Sequence, residues 1–468
     1  MRNLFRALPV LFLLALAVLV PVILSGYSEL RQAPSAPSYL EAARHYQRAA
    51  QRIPWRADLY ELAGHEYYYA QEYALAGAAY QKAFQRHALT AEGWVAWGDI
   101  NYLSGKPDRA AEIWVQGLEQ PTPSESLYSR LAQTYQEQKE YAKAAEYLQR
   151  YVANHLTDAS AHYRLGLLLT LSDPNLALSE LITASQINPE FDPAVQTLRS
   201  ALNLASLSDS PSEQLVITGR GLGLVNEWEL ALASFTEATK TDEANAEAWA
   251  WLAEANQQAA EEERIEQVRA EAKGYLDQAL SLNPDSAVVR ALRGLYFQRV
   301  GNNREALTEF QFAAKFQPND PAIYVSLGES YAKLGDLIRA VEAYQYAANL
   351  VPEDASYWRL LAQFCGQNSV HVKDVGVPAA QHAVVITGEN SEALDLLGWL
   401  LMLDTRYLEA QKTLLHALEL NPQNGLAHFH LGMLFMQTNE STLAQEHLIQ
   451  ARDLGNMEAQ AVLSQYFP

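Results

Sequence analysis

Residues 294–320 read GLYFQRVGNNREALTEFQFAAKFQPND, and residues 321–352 continue PAIYVSLGESYAKLGDLIRAVEAYQYAANLVP. Starting from Gly294, Ala306 lies 12 residues on, Phe310 a further 4, Ala313 a further 3 and Pro318 a further 5. Gly328 follows after another 10, and the series restarts as Ala340, Tyr344, Ala347, Pro352 and Ala362, a period of 34 residues. The spacing has a physical meaning. A small residue on one helix lets a second helix approach closely. The alanine–aromatic–alanine set at helical spacing forms the inner face of that second helix. Proline then blocks continuation and sets a turn. One such hairpin cannot bury its own apolar face, so it must stack on the next.

Working outward, the same series recurs along the chain. Tyr60, Ala63, Gly64, Tyr67, Ala76, Tyr80 and Ala83 form one copy, and Trp94, Trp97, Gly98, Ala110 and Trp114 the next. Others are Tyr128, Ala132, Tyr135 and Ala144; Leu165, Gly166, Ala177, Leu181, Ala184 and Pro189; Leu397, Gly398, Ala410, Leu414, Ala417 and Pro422; and Leu431, Gly432, Phe435, Ala444, Leu448 and Ala451. Ala42, Tyr46, Ala49 and Pro54 read as the second helix of an opening half-repeat. About eleven copies in phase, from about residue 39 onward, resemble the tetratricopeptide repeat, whose unit is about 34 residues. The fold class expected is all-α, a right-handed solenoid of about eleven to twelve hairpins of this type. One transmembrane helix is expected to precede it.

That helix is read from the start of the chain. After Arg2 and Arg6, Ala7 to Leu24 (ALPVLFLLALAVLVPVIL) carries no charge. Its length is about the lower limit for crossing a bilayer. The run is longer than a typical signal core of about 7–15 residues, and no clean small-residue cleavage site follows. A signal-anchor is therefore the first reading and a cleaved signal, giving a secreted protein, the second. Positive charge before the span places the amino terminus in the cytoplasm and the remainder outside it. The organisation expected is a basic start (1–6), a span (7–25), a linker (26–38, with Pro34 and Pro37), an array (39–207), a linker (208–213) and a second array (214–468).

The period breaks at three places. Between Pro189 and Gly219 the phase is lost, leaving a degenerate repeat or a change of direction. Between Ala253 and Ala272 extra residues, including Glu261, Glu262 and Glu263, would lengthen both helices of a hairpin. Cys365 to Pro378 (CGQNSVHVKDVGVP) reads as a long loop inside a hairpin.

Composition narrows the chemistry. The 468 residues hold 55 acidic and 34 basic side chains, a net charge of −21, which argues against a nucleic-acid partner. A single cysteine, Cys365, excludes an internal disulfide and a cysteine-rich metal site. Gly219-Arg220-Gly221-Leu222-Gly223 falls on the repeat's small-residue position rather than after a strand, and Ser330-Tyr331-Ala332-Lys333 sits inside a repeat. No catalytic residue, metal ligand or cofactor is expected, and the chain is read as a scaffold rather than an enzyme.

The resemblance implies a partner site on the first helices, at three before the small residue and one, four and five after it. Those offsets give Glu61, His65, Tyr68 and Tyr69; Val95, Asp99, Tyr102 and Leu103; Ser129, Gln133, Gln136 and Glu137; Tyr163; and Arg220, Glu254, Arg299, Glu329 and Lys333. The last two full repeats give Asp395, Trp399, Met402 and Leu403, then Phe429, Met433, Met436 and Gln437. The apolar, methionine-bearing character of that final set suits adaptable peptide binding, unless a closing helix from Glu458 to Phe467 covers it. The lysine–asparagine clamp of chaperone-binding relatives is absent from these positions. The function expected is a membrane-anchored, extracytoplasmic scaffold binding other proteins or peptides of the cell envelope. The alternative is a non-catalytic assembly subunit of an envelope polysaccharide synthesis or export complex.

Overall fold

The computed structural model describes the backbone of residues 2–467 and the side chains of residues 16–467. Every regular element in it is helical, and two compact units are resolved, Met1–Asn203 and Leu204–Pro468. The first holds α1 (Arg2–Gln32), α2 (Tyr39–Arg52), α3 (Asp58–Tyr69), α4 (Tyr73–Gln85), α5 (Ala91–Leu103), α6 (Pro107–Leu118), α7 (Ser126–Glu137), α8 (Tyr141–Val152), α9 (Ala159–Leu169) and α10 (Pro174–Ile187). Helix α11 (Asp192–Ala205) carries the division in its last turn. The second unit holds α12 (Pro211–Leu224), α13 (Trp228–Thr241), α14 (Ala246–Gln258), α15 (Ile265–Leu282), α16 (Ala287–Arg299), α17 (Asn303–Phe316), α18 (Pro321–Lys333), α19 (Leu337–Leu350), α20 (Ala355–Gln367), α21 (Val377–Thr387), α22 (Ser391–Leu403), α23 (Tyr407–Leu420), α24 (Gly425–Gln437), α25 (Ser441–Asp453) and α26 (Met457–Tyr466).

Within each unit, consecutive helices pair as antiparallel hairpins and each hairpin packs on the next. Most first helices open on a side chain that accepts from a backbone N–H of the first turn: Thr90, Asp158, Ser210, Asn245, Ser286, Asp320, Asp354, Asn390 and Asn424. The small-residue position does what the spacing requires. A Cβ on Gly64 would lie 2.8 Å from the Tyr80 ring, one on Gly294 2.7 Å from Phe310, and one on Gly328 2.9 Å from Tyr344. Those rings are buried, and each such burial contributes about 1.5–3 kcal/mol. Seven residues beyond the small one the chain turns through a left-handed residue, at Gly105, Gly301 and Gly335 but also at Gln71, Lys139, Asn226, Thr405 and Asn439.

The second and third breaks in period resolve differently from the sequence reading, while the first holds a helix about where residues 194–207 suggest one. The segment after Pro189 holds a short 3-10 turn and one helix, α11, whose buried Val195, Leu198 and Leu202 follow helical spacing. In the second break only α15 is lengthened. Helix α14 ends at Gln258, Glu262–Arg264 forms a 3-10 turn, and Val268 is the buried side chain that the added turns supply. The third break is a packed π-helical turn, Val372–Gly376, rather than an open loop. Val370, Val372 and Val375 lie against the core around Cys365, whose thiol burial pushes up to about 11.

The linker expected over 26–38 is also largely helical. Helix α1 continues to Gln32 because its last turns have partners on α2: Gly26 abuts Ile53, and Glu29 receives Arg52 at 2.9 Å and His45 at 2.6 Å. Composition alone, with no breaker between Ser28 and Gln32, left those contacts invisible. Among the described residues no helix is long and apolar enough to cross a membrane. The side chains of residues 7–15, half of the expected span, lie outside the described ones.

Candidate functional site: a cleft on the first helices

First helices meet their neighbours edge to edge, so polar side chains at the expected partner-facing positions can bridge hairpins. In the first unit many do. The buried Glu61 carboxylate accepts from the Thr90 backbone N–H at 2.8 Å and from its hydroxyl at 2.5 Å. His65 lies beside it, its Nε2 3.4 Å from Glu61 and its Nδ1 2.9 Å from the Tyr80 hydroxyl. Burial raises the Glu61 pKa, but the bonds from His65 and Thr90 outweigh it and hold the carboxyl below the usual range. Asp99 binds Arg130 through both carboxylate oxygens, at 2.6 and 3.0 Å, and Tyr102 donates to Glu137 at 2.5 Å. Gln136 accepts from Arg164. Val95 packs near Trp114, while Leu103 is exposed. Tyr68 and Tyr69 join Tyr39 and Tyr73 in a ring cluster with centroid separations of 5.5–6.0 Å. Asp99, Tyr102, Ser129, Arg130 and Gln133 line a shallow cleft of about 360 Å³.

In the second unit, Arg220 lies over the Trp251 ring at 5.3 Å and Glu254 holds Arg299 through two bonds of 2.5 and 2.6 Å. Glu329 and Lys333 are exposed. Ser330 is buried inside α18 and donates to the Ser326 carbonyl, and Gly219 and Gly223 sit beneath Phe235 and Trp228, so both motif-like strings serve packing. Among the described residues no group of three or more His, Cys, Asp or Glu is placed to hold a metal ion.

The apolar set offered by the last repeats divides. Met402 is buried, and Leu403, Met433 and Met436 pack on the core. Phe429 and Met436 also pack with Leu448, Leu463 and Phe467, so the closing helix α26 does cover part of the set. Trp399 is also half-buried against that core, but with the buried Asp395 it lines a cleft of about 760 Å³ in the second unit. Asp395 accepts from His430 Nδ1 at 2.7 Å, and the Trp399 indole stacks on that imidazole at 5.5 Å and 11°. Trp399 can lie flat because Gly366 has no side chain: a Cβ there would come within 2.6 Å of the ring.

Three side chains of α20 complete that cleft, namely Arg359, Gln363 and Gln367, together with Asn421, Asn424 and Leu426 at the start of α24 and Asn456 and Glu458 at the start of α26. The sequence reading passed over the α20 residues because the broken period drew attention to the segment after Cys365. The signal was present: counted from Ala362, Arg359 is three before, and Gln363 and Gln367 are one and five after. Arg359 reaches Glu392 at 3.5 Å on the neighbouring first helix. The cleft is thus a mixed surface of carboxamides, one indole and paired charges, contributed by successive first helices.

These features define an all-helical repeat scaffold with a cleft along its first helices. Residues 62–126, 129–189 and 291–355 match one tetratricopeptide-repeat model and residues 391–424 another, so those segments are tetratricopeptide repeats. No curated protein matches the chain. Among solved structures it is similar to yeast Tom70, at 14% identity over 96% of this chain and 95% of that one, with a TM-score of 0.36. It is also similar to MamA residues 41 to the end from Desulfovibrio magneticus RS-1, at 24% identity over 36% of this chain and 95% of that one, TM-score 0.32. A third is a thermophilic TPR protein of Thermus thermophilus, at 22% identity over 44% of this chain and 98% of that one, TM-score 0.32.

Proposed function

We propose that the chain is a membrane-anchored scaffold whose C-terminal cleft receives an extended segment of a partner protein. The observation that carries the reading is the cleft itself. It is long enough to run across three successive first helices, and Gln363 and Gln367 supply both donors and acceptors for a peptide backbone, while Asn421, whose oxygen accepts from Gln423, adds an amide donor. Trp399 supplies a flat apolar surface beside them.

Anchoring through α1, with the repeats outside the cytoplasm, is supported by the uncharged run Ala7–Leu24 behind Arg2 and Arg6. An uncut helix fits the packing better than a cleaved signal does. Cleavage after Ser25 would remove the Ser25 hydroxyl that accepts from Arg52, and cleavage after Ser28 would also remove Gly26 from against Ile53.

The test is selection of extended peptides from a random library on the purified full chain, followed by binding to Trp399→Asp and Gln363→Ala/Gln367→Ala variants with unchanged circular dichroism. Loss of binding in the variants supports the cleft. Equal binding, or no peptide selected, overturns it. Met433 is unsuitable for this purpose because, although half-buried like Trp399, it does not line the cleft. Protease digestion of the repeats in intact cells, with an accessible control, tests topology: protection contradicts the orientation.

A further inference from the structure

Helix α1 changes character within one turn. Up to Leu24 its described large apolar side chains other than the half-buried Ile23 stand open: Leu16, Val18, Leu19, Val20, Val22 and Leu24 are all exposed, Val18 to 67%. From Ser25 onward it is built into the first hairpin. Arg52 donates to the Ser25 hydroxyl at 2.6 Å and to Glu29 at 2.9 Å, and Leu30 packs with Ala49, Ala50, Leu59 and Tyr60. No flexible spacer separates the exposed apolar helix from the repeat array.

At the level of that change the turn after α2 carries Trp55, 59% exposed. Arg86, from the next turn of the same kind, donates to the Pro54 carbonyl at 3.4 Å and, with Lys82, covers the Tyr60 ring. Tyr27 is 43% exposed on α1 itself. It lies about 4.5 Å along the axis beyond Leu24, at ~1.5 Å per residue. The exposed indole and phenol thus flank the point where α1 joins the array, with Arg86 held to the Pro54 turn, Lys82 over the Tyr60 ring and the Arg56–Asp58 ion pair beside them. Amphipathic rings settle at the boundary between hydrocarbon and headgroups, and basic side chains are drawn to anionic headgroups. That local chemistry stands out in a chain whose net charge is −21.

We infer that this rim, formed by Tyr27, Trp55, Lys82 and Arg86, is seated in the phospholipid headgroup layer of the bilayer that α1 enters. The inference rests on the anchor reading. Its consequence is that the first hairpin is held against the membrane at a fixed angle, instead of being tethered at a distance.

The experiment uses the full chain reconstituted in vesicles of phosphatidylcholine with and without phosphatidylglycerol. A nitroxide is placed at residue 55 through Trp55→Cys, or at residue 408 through Leu408→Cys, in a Cys365→Ser background. Leu408 is a strongly exposed reference. Expected is several-fold lower collision of the residue 55 label with an aqueous nickel chelate than of the residue 408 label, with the contrast reduced on anionic vesicles by Lys82→Glu/Arg86→Glu. Equal accessibility at the two positions, in protein that floats with the vesicles, overturns the seating while leaving the anchor intact. Protein that fails to float removes the anchor reading and this inference together.

Discussion

The Nδ1–H of His430 donates to the carboxylate of Asp395 across 2.7 Å, tying α24 to α22 where both line the C-terminal cleft. Asp395 is 5% exposed, so its charge depends on that imidazole for a partner. Two positions in adjacent repeats thus fix each other, and Trp399 is laid against the result. Asp395→Ala is expected to cost about 1–3 kcal/mol, because it leaves a half-buried imidazole without its acceptor. Denaturant unfolding of the second unit measures this, and a peptide selected on the cleft should also bind more weakly to the variant. An unchanged midpoint would mean the pair contributes nothing to the packing.

In the first unit Glu61 has the corresponding role, receiving both polar hydrogens of Thr90. Glu61→Ala should destabilise α3 to α5 by about 2–3 kcal/mol, since the capping residue of α5 loses its acceptor. The Glu61 pKa is held below the usual value, so the folded state binds fewer protons than the unfolded one through the carboxylate range. Its contribution is therefore present at neutral pH and lost as pH falls through the folded pKa. Hydrogen exchange of the α5 amides at decreasing pH should quicken in wild type and change less in Glu61→Ala.

His447 gives a pH response at higher pH. Burial first, and then the neighbouring charge of His428, lowers its pKa from 6.5. The two Nδ1 atoms are 2.9 Å apart, so one hydrogen serves both and a doubly protonated pair is disfavoured. Just below pH 6.5 the unfolded chain binds more protons than the folded one, so stability declines as pH falls and levels off below the folded pKa. Unfolding midpoints from about pH 7.5 to about pH 5 should show that decline, and His447→Gln should flatten it.

Thr405 sits at φ 63°, a left-handed conformation that a β-branched residue adopts at a cost. The same turn position holds glycine at 105, 301 and 335. Thr405→Gly should stabilise the second unit by about 0.5–1 kcal/mol after allowing for the added freedom of the unfolded chain. A lower thermal midpoint in the variant would show that the threonine makes a compensating contact.

The sequence by itself determined the hairpins, their period and the stacking of each on the next. A small residue must face a large one across every hairpin, and Gly64 with Tyr80 or Gly328 with Tyr344 carry that requirement in local spacing. It also marked the face on which the first helices meet: Asp99, Tyr102, Asp395 and Trp399 were all placed by counting from a small residue. Only the tertiary structure decided which of those positions remain open. Met433, at the same offset as Trp399, and Met436 and Phe429, at the others, are half-buried as Trp399 is, yet only Trp399 of the four lines the cleft, because that depends on what the next hairpin and α26 bring to the contact. The end of α1 belongs in the same class. Ser25 to Gln32 is short, polar and followed by prolines, and nothing in that local pattern foretells the Arg52, His45 and Ile53 partners that make it half of the first hairpin. Spacing is written along the chain, whereas exposure is set by residues distant in sequence.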